Sequence, residues 1–291
     1  MWSRRALLST LLLLAACGDV DSRPGPRGPA QPVPVWADVS EEQRTEADRV
    51  GVPAAFENSL GMKFVLIPSG TFRMGSPPEE EGRGVDEVQH DVTLTQAYYL
   101  QVTEVSNAQF RRFRPQHDSG VVRRATSGRP EISLNGDEQP AVKVDWESAV
   151  AFAAWLSSQP GERRYRLPTE AEWERACRAG GDTAFAFGSS ISTEQVVHLS
   201  LTTAPVESHA PSRWGLRHMH GNAFEWCADR YGEYPPGPRT DPSGAVTGDD
   251  RLVRGGMWAN APALVRCAHR DHGPADRRDP GFRLAASVSA R

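Results

Sequence analysis

The segment from Arg254 to Arg270, RGGMWANAPALVRCAHR, constrains the fold of this chain more than any other stretch. Its adjacent glycines, Gly255 and Gly256, follow an arginine and precede Met257 and Trp258, so the backbone there can adopt positive φ angles or approach another segment closely. A loop of this kind can be threaded through a core. We therefore expect the segment to lie at the centre of the fold and to hold any reactive chemistry.

Long stretches without periodicity predict a loop-rich domain. Residues 115–139, 181–214 and 230–250 are such stretches, and the chain holds 26 glycines and 23 prolines among 291 residues, above the average combined usage of about 12%. Hydrophobic residues make up 38% of the chain, which is enough for a sizeable core. The formal net charge of −4 gives no basic surface of the kind that binds nucleic acid, so we expect no nucleic-acid partner.

The N-terminus, residues 1–17, has the pattern of a bacterial lipoprotein signal. Arg4 and Arg5 precede an apolar run from Ala6 to Leu14, and the sequence LAAC ending at Cys17 resembles a lipobox. The run is too short to span a bilayer, which needs roughly 20 residues. We expect cleavage before Cys17 and lipidation there, which would anchor the protein stably to a membrane. The alternative is an ordinary signal peptide with an incidental cysteine.

Residues 18–57 are predicted to form a proline-rich tether. Five prolines between Pro24 and Pro34 favour an extended, semi-rigid chain over a packed element. The tether would hold the domain outside the cytoplasm, facing the periplasm or the cell surface, where disulfides persist.

From Asn58 the sequence changes to short apolar runs separated by turns. Residues 63–68 predict a strand with residues 71–75 as its hairpin partner. Further strands are predicted at 92–94, 98–100 and 281–285. The charged residues 79–86 between them are interpreted as a solvated loop.

Three helices are predicted from their capping residues. Ser106, Asp145 and Thr169 can each cap a helix N-terminus. Glu172 completes a capping box with Thr169, and Gly180 ends that helix. The helix after Asp145 carries a predicted core-facing stripe that consists of Ala149, Val150, Phe152, Ala153, Trp155 and Leu156.

The order of these motifs resembles that of the formylglycine-generating enzyme family, also called sulfatase-modifying factor. The resemblance covers residues 58–287 as one domain and implies an α+β, loop-rich mixed α/β fold, distantly similar to C-type lectins. The motifs are LIPSGTFRMGS (66–76), VTEVSNAQF (102–110), PAVKVDWESAVAFAAWL (140–156), YRLPTEAEWERACRAG (165–180), GLRHMHGNAFEWCADRYG (215–232), RGG (254–256) and GFRLA (281–285).

The resemblance also implies where copper would bind. Active family members are copper oxidases that convert a sulfatase cysteine into formylglycine, and two cysteines after the double glycine hold the metal. Soft sulfur ligands stabilise Cu(I). Counted from the glycines, the first cysteine falls at Asn260 and the second between Pro262 and Val265, yet neither place has a cysteine, and Met257 replaces a serine. We therefore expect no copper site.

Three cysteines remain once Cys17 is lipidated, an odd number in an oxidising compartment. The family resemblance pairs Cys177 with Cys267 as a structural disulfide and leaves Cys227 as a buried thiol. The alternative is three buried thiols that each pack as a small hydrophobe.

The resemblance further implies a structural calcium ion bound by Gly221, Ala223 and Glu225, through two carbonyls and a carboxylate. His218 stands where the family has asparagine or aspartate, and nitrogen is a poor ligand for calcium. A second family calcium site is expected to be lost, because the 181–214 region offers His198 and no suitable aspartate.

Two histidine groups give alternative metal clusters. They are His218, His220 and Glu225, and His269, Asp271 and His272. Neither has HExxH-like spacing, so we expect solvated or hydrogen-bonded histidines.

The sequence thus predicts a lipid-anchored, extracytoplasmic, non-catalytic binding or accessory module. The groove in which relatives hold an extended peptide is expected to persist, with an envelope protein or an extended peptide as partner. The alternative function is that of an oxidoreductase on the same fold, with altered chemistry or with formylglycine-generating activity on sulfatase cysteines. The predicted groove residues are Trp258, Asn260, His269 and Arg270.

Overall fold

A computed structural model describes residues 32–122 and 130–288 of the chain. The predicted lipidation site at Cys17 and the first part of the predicted tether lie outside these ranges. Across the two ranges, no helix is both long enough and apolar enough to cross a membrane.

Short helices and short strands alternate with long loops. The helices are α1 (Glu41–Val50), α2 (Asn107–Arg111), α3 (Trp146–Ser157) and α4 (Glu170–Arg178), and a 3-10 turn covers Pro262–Leu264. The strands are β1 (Ala55–Glu57), β2 (Lys63–Ile67), β3 (Gly70–Met74), β4 (His90–Leu94), β5 (Tyr98–Gln101), β6 (Val121–Val122), β7 (Ile132–Ser133), β8 (Tyr165–Arg166), β9 (Glu225–Arg230), β10 (Arg239–Thr240), β11 (Asp250–Arg254), β12 (Asp271–Pro274) and β13 (Ala285–Ser287).

The strands form one larger sheet and three smaller ones. The five-stranded sheet has the order β1-β2-β5-β13-β8 and is antiparallel throughout. Two three-stranded sheets have the orders β10-β4-β3 and β12-β11-β9, and β6 pairs with β7. One apolar cluster packs Phe64 and Tyr99 of the large sheet against Phe152 of α3 and Phe282. The architecture is the predicted mixed α/β fold with few helices and several sheets.

The three predicted helices begin at the predicted caps. The side chains of Ser106, Asp145 and Thr169 each accept a hydrogen bond from the backbone N–H three residues later. Helix α3 is less amphipathic than expected, because Val150 is 37% exposed and Trp155 is only partly buried.

Two strand predictions were wrong in their pairing or position. β2 and β3 do not form a hairpin with each other, because β2 pairs with β1 and β5 while β3 pairs with β4 in another sheet. Gly70, with φ of 135°, lies at this change of sheet. The closing strand β13 begins at Ala285, not at Gly281.

Packed structure begins upstream of the predicted boundary at residue 58. Ser40 and Gln43 form a capping box at the start of α1, and the buried Gln43 amide donates hydrogen bonds to the carbonyls of Leu66 (2.8 Å) and Trp214 (3.2 Å). Strand β1 pairs with β2. The predicted tether of residues 18–57 therefore extends too far, since residues 40–57 belong to the domain.

Candidate functional site

The double glycine lies in the core, and the Arg254–Arg270 segment is buried at 254–256 and 265–268 but partly or fully exposed at 257–264. Gly255 and Gly256 have φ angles of 87° and 72°, which L side chains rarely adopt. A Cβ atom at Gly256 would lie 2.6 Å from the carbonyl oxygen of Leu264, and one at Gly255 would lie 3.2 Å from the ring of Trp173. Both positions therefore require glycine.

Three arginines of the segment are buried in ion pairs. Arg254 lies 2.5 Å from Glu174, Arg266 lies 2.7 Å from Glu87, and Arg270 lies 2.7 Å from Glu170, with side-chain exposures of 0–2% for the arginines. A buried charge is costly unless it is paired and hydrogen-bonded. These arginines therefore fix the segment to α4 and to the loop around Glu87.

Residues 79–86 were interpreted from the sequence as a solvated loop, and the interpretation was wrong for Glu80. Glu80 lies 2.5 Å from Arg266 with 9% of its side chain exposed, and the adjoining Glu87 is fully buried. The run of charged residues in the sequence gave no sign that these acids pair with Arg266, which lies far along the chain.

Asn260, the position that the family pattern assigns to the first copper cysteine, closes a turn. Its Oδ1 accepts a hydrogen bond of 2.8 Å from the N–H of Met257. The carbonyls of Trp258 and Asn260 accept hydrogen bonds from the N–H groups of Ser200 and Leu199. An amide that shapes the loop thus occupies the place of a metal-binding thiolate.

The four predicted groove residues do not line one groove. Trp258 and Asn260 contact the loop at Leu199 and Ser200. His269 instead lies 3.8 Å from Glu87, and the Arg270 side chain is 1% exposed against Glu170. The sequence grouped these residues because they are close along the chain, but contacts with distant acids draw the last two residues to another side of the segment.

The predicted disulfide partners lie together in the core. The sulfurs of Cys177 on α4 and Cys267 are 2.7 Å apart as thiols, and both residues are fully buried. The disulfide between them stays a prediction. Cys227 is also buried, and burial raises the pKa of its thiol, so this thiol is unreactive.

His220 lies against the cysteine pair. Among the described residues, Cys177, His220 and Cys267 are the one His/Cys/Asp/Glu group whose potential ligand atoms all lie within 4.8 Å of one another. Both ring nitrogens of His220 are already used, because Nε2 lies 3.0 Å from the N–H of Ala186 and Nδ1 lies 2.8 Å from the carbonyl of Val265. Two thiolates on one tetrahedral zinc would be separated by about 3.8 Å, given Zn–S bonds of about 2.3 Å. The geometry fits a disulfide beside a neutral histidine better than a metal.

Glu225, the one predicted calcium ligand that would bind through its side chain, is neutralised by an arginine. Glu225 accepts hydrogen bonds from Arg283 (2.6 and 2.7 Å) and from the indole of Trp173 (2.7 Å), with no exposure. Burial lowers the pKa of His218 to about 3, so it adds a neutral nitrogen. The Arg283 ion pair and the His218 nitrogen disfavour Ca²⁺, which prefers several anionic or carbonyl oxygens, and the calcium site stays a prediction.

The two histidine clusters that were considered as alternatives are not formed. His218 lies 3.2 Å from the carbonyl of Pro205, whereas His220 faces the cysteines. His272 stacks on Tyr231 and lies 2.6 Å from Asp250. As expected, His218, His220 and His272 are hydrogen-bonded, whereas His198 is buried and neither of its ring nitrogens has a partner.

Two buried acids had no signal in the sequence. Burial raises the pKa of Glu104 to about 8 and that of Asp229 to about 7. Glu104 accepts a hydrogen bond from Asn222, and its other oxygen has no partner. Only the tertiary structure shows that these residues lie inside the core.

The sequence model of the sulfatase-modifying factor enzyme 1-like domain matches residues 50–288. The chain belongs to this family. The predicted family and fold are therefore confirmed, and the domain begins close to α1.

The proteins to which this sulfatase-modifying-factor-like chain is similar include a protein kinase, a formylglycine-generating enzyme and PvdO. It is 33% identical over 250 residues to the serine/threonine-protein kinase pkn1 of Chlamydia pneumoniae. That match covers 78% of this chain but only 38% of the kinase. It is 29% identical over 272 residues to the formylglycine-generating enzyme of Thermomonospora curvata, covering 71% of this chain and 86% of the enzyme. The structure of PvdO from Pseudomonas aeruginosa superposes with a TM-score of 0.70 and 29% identity, covering 80% of this chain and 98% of PvdO.

Proposed function

We propose that this sulfatase-modifying-factor-like protein is a lipid-anchored, extracytoplasmic binding module that recognises an extended peptide segment of an envelope protein without oxidising it. The observation that carries the proposal is the role of Asn260. Its side chain closes the turn after the double glycine, and residues 255–266 contain no cysteine. Copper(I) chemistry at this loop would need soft sulfur ligands.

An apolar surface beside Asn260 supports binding. Leu199 and Leu201 are each 62% exposed, and the loop that carries them is hydrogen-bonded to Trp258 and Asn260. Leu264, in the 3-10 turn of the same segment, is 40% exposed. Large apolar side chains grouped on a surface commonly mark sites of protein interaction.

Hydrogen bonds hold the backbone around this apolar surface in place. The N–H of Asn222 donates to the carbonyl of Val197, and the N–H of Trp258 donates to the carbonyl of Asn222. The side-chain amide of Asn222 also accepts a hydrogen bond from the N–H of Ala204 and donates one to the carboxylate of Glu104. A preorganised surface loses less conformational entropy on binding than a mobile one.

Chemical crosslinking on intact membranes tests the proposal. A double variant, Leu199→Ser with Leu201→Ser, should capture less of an envelope protein than the native chain. Val246→Ser is the matched control, because Val246 is 98% exposed on a different loop. Equal capture by the double variant and the native chain would argue against this surface.

The anchor is tested separately. Replacing Cys17 by serine should release the protein from the membrane fraction and abolish labelling by a radioactive fatty acid. Retention of both properties in the Cys17→Ser variant would remove the lipid-anchor part of the proposal and leave the binding surface untouched.

A further inference from the structure

A cavity of about 200 Å³ lies between the N-terminus of α4, the end of β9 and the loop of residues 232–245. Its walls include Glu170, Asp229 and Arg270, and none of the residues 255–265. It is therefore separate from the surface at Leu199 and Leu201.

The acids around this cavity are largely neutralised by the protein. Glu170 accepts hydrogen bonds from Arg270 (2.7 Å) and Tyr234 (2.9 Å), with Arg254 at 3.4 Å. One oxygen of Asp229 accepts the N–H of Glu170 at 2.8 Å, and burial raises the pKa of Asp229 to about 7. Glu233 is the other acid of the lining, and it is exposed to solvent.

Two arginines of the lining lack an acidic partner. Among the described residues, neither Arg230 nor Arg239 takes part in an ion pair. Arg239 donates to the carbonyl of Pro236 (3.0 Å), while its Nε is buried without an acceptor. Arg230 donates to the carbonyl of Gly248. An unpaired buried donor is costly, so the Nε of Arg239 calls for an acceptor, and the residues that the structure describes supply none.

The remaining walls are mainly apolar. Met74, Ala171, Pro235 and Pro242 contribute aliphatic surface, and the ring of Tyr234 lies 4.7 Å from that of His90. Small-molecule sites typically combine apolar walls with a few polar groups that fix orientation. The volume is below the roughly 300 Å³ at which sites for drug-sized ligands begin.

We infer that this cavity binds a small organic acid, with its carboxylate held by Arg239 and Arg230 and its hydrocarbon body against Tyr234 and the apolar wall. Guanidinium groups recognise carboxylates through paired N–H donors. The site goes beyond the proposed peptide-binding function and does not depend on it.

Isothermal titration calorimetry on the purified full-length chain tests the inference. The probes are phenylacetate, 4-hydroxybenzoate and hexanoate, each compared with its neutral amide, which has nearly the same shape. At least one acid should bind, and its amide should bind about tenfold more weakly or worse, because a hydrogen bond to a charged group is lost. Equal affinity of acid and amide, or no binding of any acid at millimolar concentration, would overturn the inference.

Variants locate the site. Arg239→Gln should weaken binding of the acid about tenfold or more and leave binding of the amide unchanged, while Arg239→Lys should retain part of the affinity. Arg44→Gln, at an exposed arginine of α1, is the control and should bind like the native chain. Native affinity in Arg239→Gln would place the acid elsewhere and refute the assignment. If Arg239→Gln does not fold, the comparison of acid with amide on the native chain decides.

Discussion

Arg254 and Glu174 form an ion pair of 2.5 Å in which neither side chain is exposed. The same guanidinium donates to the carbonyls of Cys267 (2.6 Å) and Ala268 (3.1 Å). One side chain thus joins β11, helix α4 and the far end of the segment that it begins. The segment is a structural centre of the fold.

Replacing Arg254 by methionine should therefore destabilise the protein strongly. The variant removes the donor of Glu174 Oε2 and of two carbonyls, while Arg178 still donates to Oε1, and breaking a buried pair from one side costs about 3–5 kcal/mol. Urea unfolding of the purified domain measures this loss of free energy. Arg44→Gln serves as the surface control, with an expected change within about 0.5 kcal/mol. An effect of Arg254→Met as small as that of the control would show that the pair is not structural.

Cys177 and Cys267 should be oxidised in the mature protein, leaving Cys227 as the one free thiol of the soluble domain. The pair is separated by 90 positions in the sequence, and closing a loop of that length stabilises by about 4 kcal/mol in a chain-entropy estimate. Alkylation under non-reducing denaturing conditions, followed by mass spectrometry, counts the thiols. Three alkylated cysteines would disprove the disulfide.

Asp229 should make stability fall as pH rises. Burial and then the charge of Glu170 raise its pKa from 3.8 to about 7, so between these values the folded state binds a proton that the unfolded state has released. The free energy of unfolding then decreases with pH, by at most about 1.4 kcal/mol per pH unit for one such group. Above pH 7 the effect is complete.

The Asp229→Asn variant isolates this effect, because the amide oxygen can still accept the N–H of Glu170. It should match the native chain near pH 4 and exceed it in stability at pH 8. The pKa of Glu104 is also raised, but its contribution is the same in both proteins and cancels when their free energies of unfolding are subtracted. Parallel stability profiles from pH 4 to pH 8 would contradict the assignment.

Calcium should not stabilise this domain. The Arg283 guanidinium already neutralises Glu225, and His218 offers a nitrogen where an oxygen would be needed. Thermal unfolding should give the same Tm in excess Ca²⁺ and in a chelator. A Tm that rises with Ca²⁺ concentration would show binding to the folded state and would restore the site predicted from the family resemblance.

Local signals in the sequence predicted the elements that depend on them. Helices α2, α3 and α4 begin at Ser106, Asp145 and Thr169 because a cap and its amide are three residues apart. Strand pairing is not local, so the partner of β2 was assigned to the next strand instead of to β5. The pattern of Pro24 to Pro34 also obscured the capping box at Ser40, which begins α1.

The candidate site around the Arg254–Arg270 segment was predicted only in part, because local features are visible in the sequence and contacts between distant residues are not. The absence of a thiol at Asn260 is a property of the sequence, but its hydrogen bond to Met257 is a property of the turn. The positions of His269 and Arg270 could not be predicted, because they depend on contacts with distant acids. Glu87 and Arg266, for example, are separated by 179 positions.

We propose that the segment after Gly256 takes part in peptide binding and that no copper oxidation occurs there. The most direct measurement incubates the purified soluble domain with copper, oxygen and a peptide bearing a Cys-x-Pro-x-Arg core, and follows the peptide by mass spectrometry. A formylglycine-generating enzyme treated in parallel shows that the assay works. We predict no conversion of the thiol to the aldehyde above a control without protein; conversion by this chain that exceeds that control would contradict the account.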